Sequence, residues 1–332
     1  MILHLKPGIA SSEAAALATA NKAWHLTSAG VEVLVTASSI KEVPAALQQY
    51  VDQSWYMPND LQLGSRSYKN ETREVRVGKQ IIGGKSNNTL LIAGPCSVES
   101  EQQINESSQL LTDLGLTTLR GGCYKPRTSP YSFQGMGLDG LKLLSKMREK
   151  YGHAIITEVR DATQVDEIIE YSDVIQIGAK AMYDQGILRA CAKTQKTVLI
   201  KRGFGTTLQE FVQSAEFVLS GGNENVILCE RGIRTFETGT RFTLDLCGVA
   251  WLKEKTNLPI VLDPSHAMGY AYGVPDLARA CTAMGVDGLL IEVHPDPSVA
   301  KSDASQQLNH DQFTNLLSSL RPIASAVGRK IV

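Results

Sequence analysis

The sequence predicts a (β/α)8 barrel preceded by a small ferredoxin-like βαββαβ unit, and three observations predict it. From Thr89 onward one rhythm repeats: a short apolar run ending in a polar or glycine cluster, an amphipathic stretch, then another apolar run. Eight such runs occur, at 90–93, 117–119, 154–157, 174–177, 198–200, 226–228, 260–262 and 288–291. Short, continuously apolar strands suit a parallel sheet covered on its outer face, and eight in about 240 residues close into a barrel. An open doubly wound sheet would want a glycine fingerprint after its first strand, and Ala93-Gly94-Pro95-Cys96 is not one.

In chain order, residues 1–65 form a unit of their own. Residues 2–5 predict a strand and 11–21 an alanine-rich helix capped by Ser11 or Ser12; 24–28 and 31–36 predict a hairpin turning at Ala29-Gly30. A helix over 40–50 and a last strand near Trp55 complete the split βαββαβ order. No acid, base or metal cluster appears in this stretch. Residues 66–88, richer in charge and glycine with weak alternation at Val75, Val77 and Ile81-Ile82, predict a linker and a short hairpin capping the barrel. The barrel takes 89–332, with helical patterns at 101–114, 137–151, 207–219 and 275–284.

The 332 residues carry a formal net charge of −1, with 43% apolar and 20% charged residues. That balance excludes a general affinity for nucleic acid or anionic membrane, so anion binding must come from local clusters. No apolar run approaches membrane-spanning length and no leader pattern opens the chain, which predicts a cytoplasmic protein. Six cysteines are scattered without a CxxC pair, so disulfides are not expected.

The densest local cluster is 119–135, where Arg120, Lys125 and Arg127 fall within eight residues among glycine, proline and hydroxyl side chains. Guanidinium forks match phosphate and carboxylate oxygens in pairs, and a lysine adds a compact charge. A charge cluster is ordinarily a solvated loop, but no carboxylate interrupts this one. In a barrel, residues just after each strand face one mouth. Those positions supply a cationic set, Arg120, Lys125, Arg127, Lys180, Lys201, Arg202 and Arg231, with Glu158 and Arg160 after the third strand and Glu230 and Asp263 after the sixth and seventh. They also supply a thiol, an imidazole and two carboxylates: Cys96, His266, Glu292 and Asp303. Taken singly, Cys96 reads as packing, His266 as a core histidine and Glu292 as an ion-pair partner. Together at strand ends they suit a divalent ion beside phosphorylated substrates.

Six segments carry a family resemblance: Ala93-Gly94-Pro95-Cys96-Ser97-Val98-Glu99, Lys125-Pro126-Arg127-Thr128, Ile200-Lys201-Arg202-Gly203, Leu228-Cys229-Glu230-Arg231-Gly232, Asp263-Pro264-Ser265-His266 and Ile291-Glu292-Val293-His294-Pro295. In that order they resemble the type Iβ 3-deoxy-D-arabino-heptulosonate 7-phosphate (DAHP) synthases, whose barrel is shared with 3-deoxy-D-manno-octulosonate 8-phosphate (KDO8P) synthase. The resemblance implies condensation of phosphoenolpyruvate with erythrose 4-phosphate and water to DAHP and phosphate, the first step of the shikimate pathway. By the same analogy Cys96, His266, Glu292 and Asp303 hold one divalent metal ion, which could be Mn²⁺, Fe²⁺, Co²⁺ or Zn²⁺. Arg120, Lys125, Lys180, Lys201 and Arg231 would take phosphoenolpyruvate, and Arg127 with Thr128 the phosphate of erythrose 4-phosphate. Lys125 is also implied as the group that manages the proton, its pKa lowered by neighbouring cations.

Two positions depart from the family pattern: Lys180, where arginine is usual, and Phe242, where many relatives have asparagine. Alternatives are a KDO8P synthase using arabinose 5-phosphate, disfavoured by Pro126-Arg127-Thr128; a Schiff-base aldolase using Lys180 or Lys201; and a barrel that only senses phosphorylated metabolites. Residues 1–65 resemble a regulatory extension, implying an effector such as tyrosine or phenylalanine that acts by covering or uncovering the mouth. The family also implies a homotetramer.

Overall fold

The structure, a computed structural model, describes residues 1–125 and 129–332. Near the N-terminus lie β1 (Ile2–Leu5), α1 (Ser11–Ala20), β2 (Trp24–Ser28), β3 (Val31–Val35) and β4 (Val51–Trp55). The strands form an antiparallel sheet in the order β2-β3-β1-β4, as a split βαββ chain requires. Alternation along the strands makes both faces apolar. Leu3, Leu5 and Leu34 pack on Ala14 and Ala18 of α1, while Ile2, Leu26, Val33 and Val35 join the core shared with the barrel.

The helix expected over 40–50 does not form; only Ala45–Leu47 makes a 3-10 turn. Pro44 disfavours helical geometry at Val43 before it, so the chain crosses extended and seats buried Leu47 under the sheet.

A hairpin follows, β5 (Val75–Val77) with β6 (Gln80–Ile82). Eight parallel strands come next: β7 (Asn88–Gly94), β8 (Thr118–Arg120), β9 (Ala154–Val159), β10 (Val174–Ile177), β11 (Thr197–Lys201), β12 (Val226–Glu230), β13 (Ile260–Leu262) and β14 (Gly288–Glu292). They pair in sequence order, and β14 closes on β7 from Gly288 opposite Leu90 to Glu292 opposite Gly94. The intervening helices are α2 (Glu101–Asp113), α3 (Leu138–Tyr151), α4 (Val165–Tyr171), α5 (Gln185–Ala192), α6 (Leu208–Ser220), α7 (Leu246–Lys255), α8 (Pro264–Met268) and α9 (Val274–Ala283). After them, α10 (His310–Ala326) leads to β15 (Lys330–Ile331), which pairs with β7.

Inside the barrel the period of two sorts the side chains. Leu90, Ile156, Leu199, Ile227, Val261 and Leu290 fill the lower interior, and Val75, Val77 and Ile82 of the hairpin seal it from below. Gly78 at the hairpin turn has φ +55°, and a Cβ there would lie 2.7 Å from the Cβ of Ala154, so only glycine allows this close approach. Two residues further up the same inward rows stand Glu158, Lys201, Asp263 and Glu292, where the interior turns from apolar floor to charged mouth.

The N-terminal sheet is tied to the barrel at the end opposite that mouth. Ser28 Oγ donates to Glu224 Oε1 at 2.7 Å, just before β12 begins. Glu216, in the second half of α6, accepts the N–H groups of Gln62, Leu63 and Gly64 at 2.8, 3.1 and 2.8 Å. The expectation that this unit covers the mouth directly therefore does not describe its own barrel: these ties stand at the floor.

Candidate active site

The mouth is a cavity of about 480 Å³ whose lining includes Lys125, Lys180, Lys201, Arg231, His266 and Asp303. At one side Cys96, Glu292 and Asp303 bring a sulfur and two carboxylate oxygens within 4.8 Å of one another. His266 Nε2 lies 3.4 Å from Glu292 Oε1 and 4.0 Å from Asp303 Oδ2, completing the set expected from strand ends. Cys96 comes from the turn after β7, His266 from the short helix α8 after β13 and Glu292 from the last position of β14, while Asp303 reaches in from the long β14–α10 connection in a left-handed conformation at φ +48°. The thiol and two carboxylates at this spacing suit one divalent ion, with the His266 imidazole beside the carboxylates.

The protonation state of this set follows from burial and neighbours. Burial pushes the Cys96 thiol up to about 12, so a bound cation is what would ionise it. Burial lowers His266 below the usual histidine value and favours the neutral imidazole that ligates metal. For Glu292, burial works upward, but His266 and Arg120 outweigh it and hold the carboxyl below its ordinary value.

The cations meet the same set. Arg120 Nη1 donates to Pro95 O at 2.6 Å and to Glu292 Oε1 at 2.8 Å, and Lys125 Nζ lies 3.1 Å from both Cys96 O and Cys96 Sγ. Lys201 Nζ pairs with Asp263 Oδ2 at 2.6 Å, and the same oxygen lies 2.7 Å from His266 Nδ1. The expected lowering of the Lys125 pKa is reversed. Burial acts to lower it, but the Cys96 sulfur and Glu158 nearby leave it above the ordinary lysine value.

One member of the cationic set leaves the mouth. Arg202 follows inward Lys201 and so points outward, where it is held by Glu230 Oε2 and Asp245 Oδ2, each at 2.9 Å, and Thr206 O at 3.0 Å. Glu230, beside inward Arg231, points outward for the same reason. Arg160 is paired with Asp161 at the surface. Lys180 lines the cavity; Arg127 and Thr128 lie outside the described residues.

Several mouth residues, or their tasks, escaped the strand-end rule. Asp263, placed by that rule but given no task by it, joins Lys201 to His266. Gln306 Nε2 donates to Glu292 Oε2 at 2.6 Å while its Oε1 accepts from Arg241 Nη1 at 2.8 Å. Arg234, Arg241, Phe204 and Phe242 also line the cavity, and they sit deeper in their loops, where distance from the strand conceals them.

Fold and site together define a (β/α)8 barrel enzyme whose mouth sets a cluster of candidate metal ligands beside a bank of cations. The family model described as DAHP synthetase I matches residues 61–327, and the chain belongs to that family. The phospho-2-dehydro-3-deoxyheptonate aldolase of Thermotoga maritima is 43% identical over 269 residues, 81% of this chain and 79% of that one. A crystal structure of the Thermotoga maritima DAHP synthase superposes with a TM-score of 0.80 at 36% identity, covering 100% of this chain and 99% of its own. The 2-dehydro-3-deoxyphosphooctonate aldolase of Fusobacterium nucleatum is more distant, 33% identical over 257 residues, 72% of this chain and 91% of that one.

Proposed function

We infer that the chain is a DAHP synthase, condensing phosphoenolpyruvate with D-erythrose 4-phosphate and water to give DAHP and phosphate. The observation that carries this reading is the juxtaposition at one mouth of the Cys96, His266, Glu292 and Asp303 donors with Lys125, Arg120, Lys201 and Arg231. A divalent ion held by those four residues would supply Lewis-acid polarisation of the aldehyde carbonyl. Arg120, Lys125, Lys180, Lys201 and Arg231 hold the phosphate and carboxylate of phosphoenolpyruvate, orienting C3 toward the aldehyde carbon; Arg127 and Thr128 take the second phosphate. A C–C bond forms, positive charge develops at C2, water adds there, and the C–O bond to phosphate breaks. Lys125, kept protonated, gives its proton to the new alkoxide. Replacing it by methionine should cost at least about a hundredfold in turnover, and near-normal turnover would remove it from this role.

The deciding experiment is phosphate release from phosphoenolpyruvate, with erythrose 4-phosphate or arabinose 5-phosphate, each with Mn²⁺ and with excess EDTA. Metal-dependent release with erythrose 4-phosphate alone is expected. Release with arabinose 5-phosphate instead would make the chain a KDO8P synthase, and release with neither would leave a sensing barrel. Commitment of Lys201 Nζ to Asp263 argues against a Schiff-base aldolase. Native metal content, among Mn²⁺, Fe²⁺, Co²⁺ and Zn²⁺, is read by elemental analysis of the purified protein.

Residues 1–65 are the proposed effector-binding domain, 66–88 the linker with its hairpin and 89–332 the catalytic barrel, in a cytoplasmic homotetramer. The effector class is an aromatic amino acid, tyrosine or phenylalanine. Because the unit is tied to the floor, α6 is its lever: Glu216 sits at the joint, and the loop before Thr207 carries Phe204 into the mouth.

A further inference from the structure

Arg231 differs from Arg120 and Arg202, the other buried arginines near the barrel mouth, in having no carboxylate partner among the described residues. Arg202 is paired with two carboxylates and a carbonyl, and Arg120 with Glu292 and Pro95 O, although the Nε of each is buried without a partner. In Arg231 it is Nη1 that is buried with no hydrogen-bond partner. What holds it is a ring: its guanidinium carbon lies 4.3 Å from the centroid of Phe242.

Phe242 in turn stacks on Phe204, with centroids 5.5 Å apart and planes at 25°, and the guanidinium carbon of Arg234 lies 4.7 Å from the Phe204 centroid. The contacts run in the order Arg234, Phe204, Phe242, Arg231, with the guanidinium carbon of Arg241 also 5.9 Å from the Phe242 centroid, and all five side chains line the mouth cavity. Parts of this array are fixed by backbone: Phe242 N donates to Ala267 O at 2.8 Å and Arg234 N to Phe204 O at 2.7 Å. Gly232, at φ +95°, makes room, since a Cβ there would fall 2.7 Å from the Cβ of Phe242.

An aromatic face attracts a guanidinium through its quadrupole but occupies none of its N–H donors. A carboxylate in the same place would consume those donors and neutralise the charge that an anionic substrate needs. We propose that Phe242 is a positioning residue for substrate binding: with Phe204 it racks Arg231 and Arg234 by their faces and leaves their edges free for the anionic groups of phosphoenolpyruvate. This deepens the substrate reading given above and rests on it.

The experiment measures phosphoenolpyruvate affinity of the metal-loaded full chain without the aldehyde, by calorimetry, together with KM, kcat and Tm. It compares wild type with Phe242→Leu, which keeps apolar bulk but removes the π face, and with Phe242→Tyr, which retains it. Phe242→Leu should weaken phosphoenolpyruvate binding about tenfold and raise its KM in parallel, with kcat within about twofold. Phe242→Tyr should return both to within about twofold of wild type. Wild-type affinity in Phe242→Leu overturns the inference, and so does equal impairment in Phe242→Tyr, which would make shape rather than the ring face responsible. Should Phe242→Leu fail to fold, Phe204→Leu tests the other layer, and its unchanged affinity overturns the inference equally. A wild-type enzyme that binds no phosphoenolpyruvate overturns the substrate reading itself, a separate result.

Discussion

Asp263 is fully buried, yet it joins three groups: Lys201 Nζ and His266 Nδ1 on Oδ2, and the His266 backbone N–H on Oδ1 at 3.0 Å. Burial alone would raise its pKa; His266 and Lys201 instead hold it well below the carboxylate range. The carboxylate thereby directs His266 Nε2 toward Glu292 and Asp303, as partners behind a ligating histidine commonly do. Asp263→Asn turns an amide toward either the ammonium or the imidazole, and should weaken Mn²⁺ or Zn²⁺ binding by about 10- to 100-fold in a direct titration. Unchanged metal affinity would show that Asp263 serves the fold alone. Residue positions were legible where chemistry sits next to a strand end: Cys96, Arg120, Lys201, His266 and Glu292 all meet at the mouth. Arg202 was misplaced because adjacency to a strand says nothing of which face a side chain takes. Counting by twos from buried Leu199 and Cys229 separates Lys201 and Arg231 from Arg202 and Glu230. The protonation of Lys125 could not be read, since it depends on which acids approach in space.

Two elements at the barrel floor carry predictions of their own. Glu216 draws its pKa up to about 7 because burial outweighs three N–H donors and Arg73. A carboxyl raised above its ordinary value near 4.5 stabilises the fold fully below that value and loses the contribution as pH rises through about 7. Relative to Glu216→Gln, wild type should therefore lose stability between pH 5 and 8, by at most about 1.4 kcal/mol per pH unit, in denaturant titrations. A pH-independent difference would contradict this. In the hairpin, Gly78→Ala forces the Cβ clash with Ala154 and should cost about 1–3 kcal/mol without altering KM for either substrate. The strands were legible in order because short apolar runs between turn residues have few other meanings. The 40–50 helix was not, because Pro44 outweighs a locally helical composition.

For the molecule as a whole, the two-part architecture follows from a change of period, alternating strands first and βα units after. Where the parts attach did not follow, because Ser28 and Glu224 are 196 residues apart in the chain and meet only in space. If residues 1–65 serve control, tyrosine or phenylalanine added to the intact enzyme should lower turnover or raise KM, and weakening the joint through Glu224→Gln should blunt that response. Insensitivity of the intact enzyme to both amino acids would leave the unit a packing extension. The hairpin seal has a different consequence. A barrel sealed below is a blind-ended vessel, so both reactants and both products share one doorway. On the proposed assignment traffic is sequential: phosphoenolpyruvate, placed there against Lys201 and Arg120, has to arrive before the compound nearer the rim. A surplus of the outer reactant then obstructs the inner one, so rate against erythrose 4-phosphate should pass through a maximum when phosphoenolpyruvate is scarce.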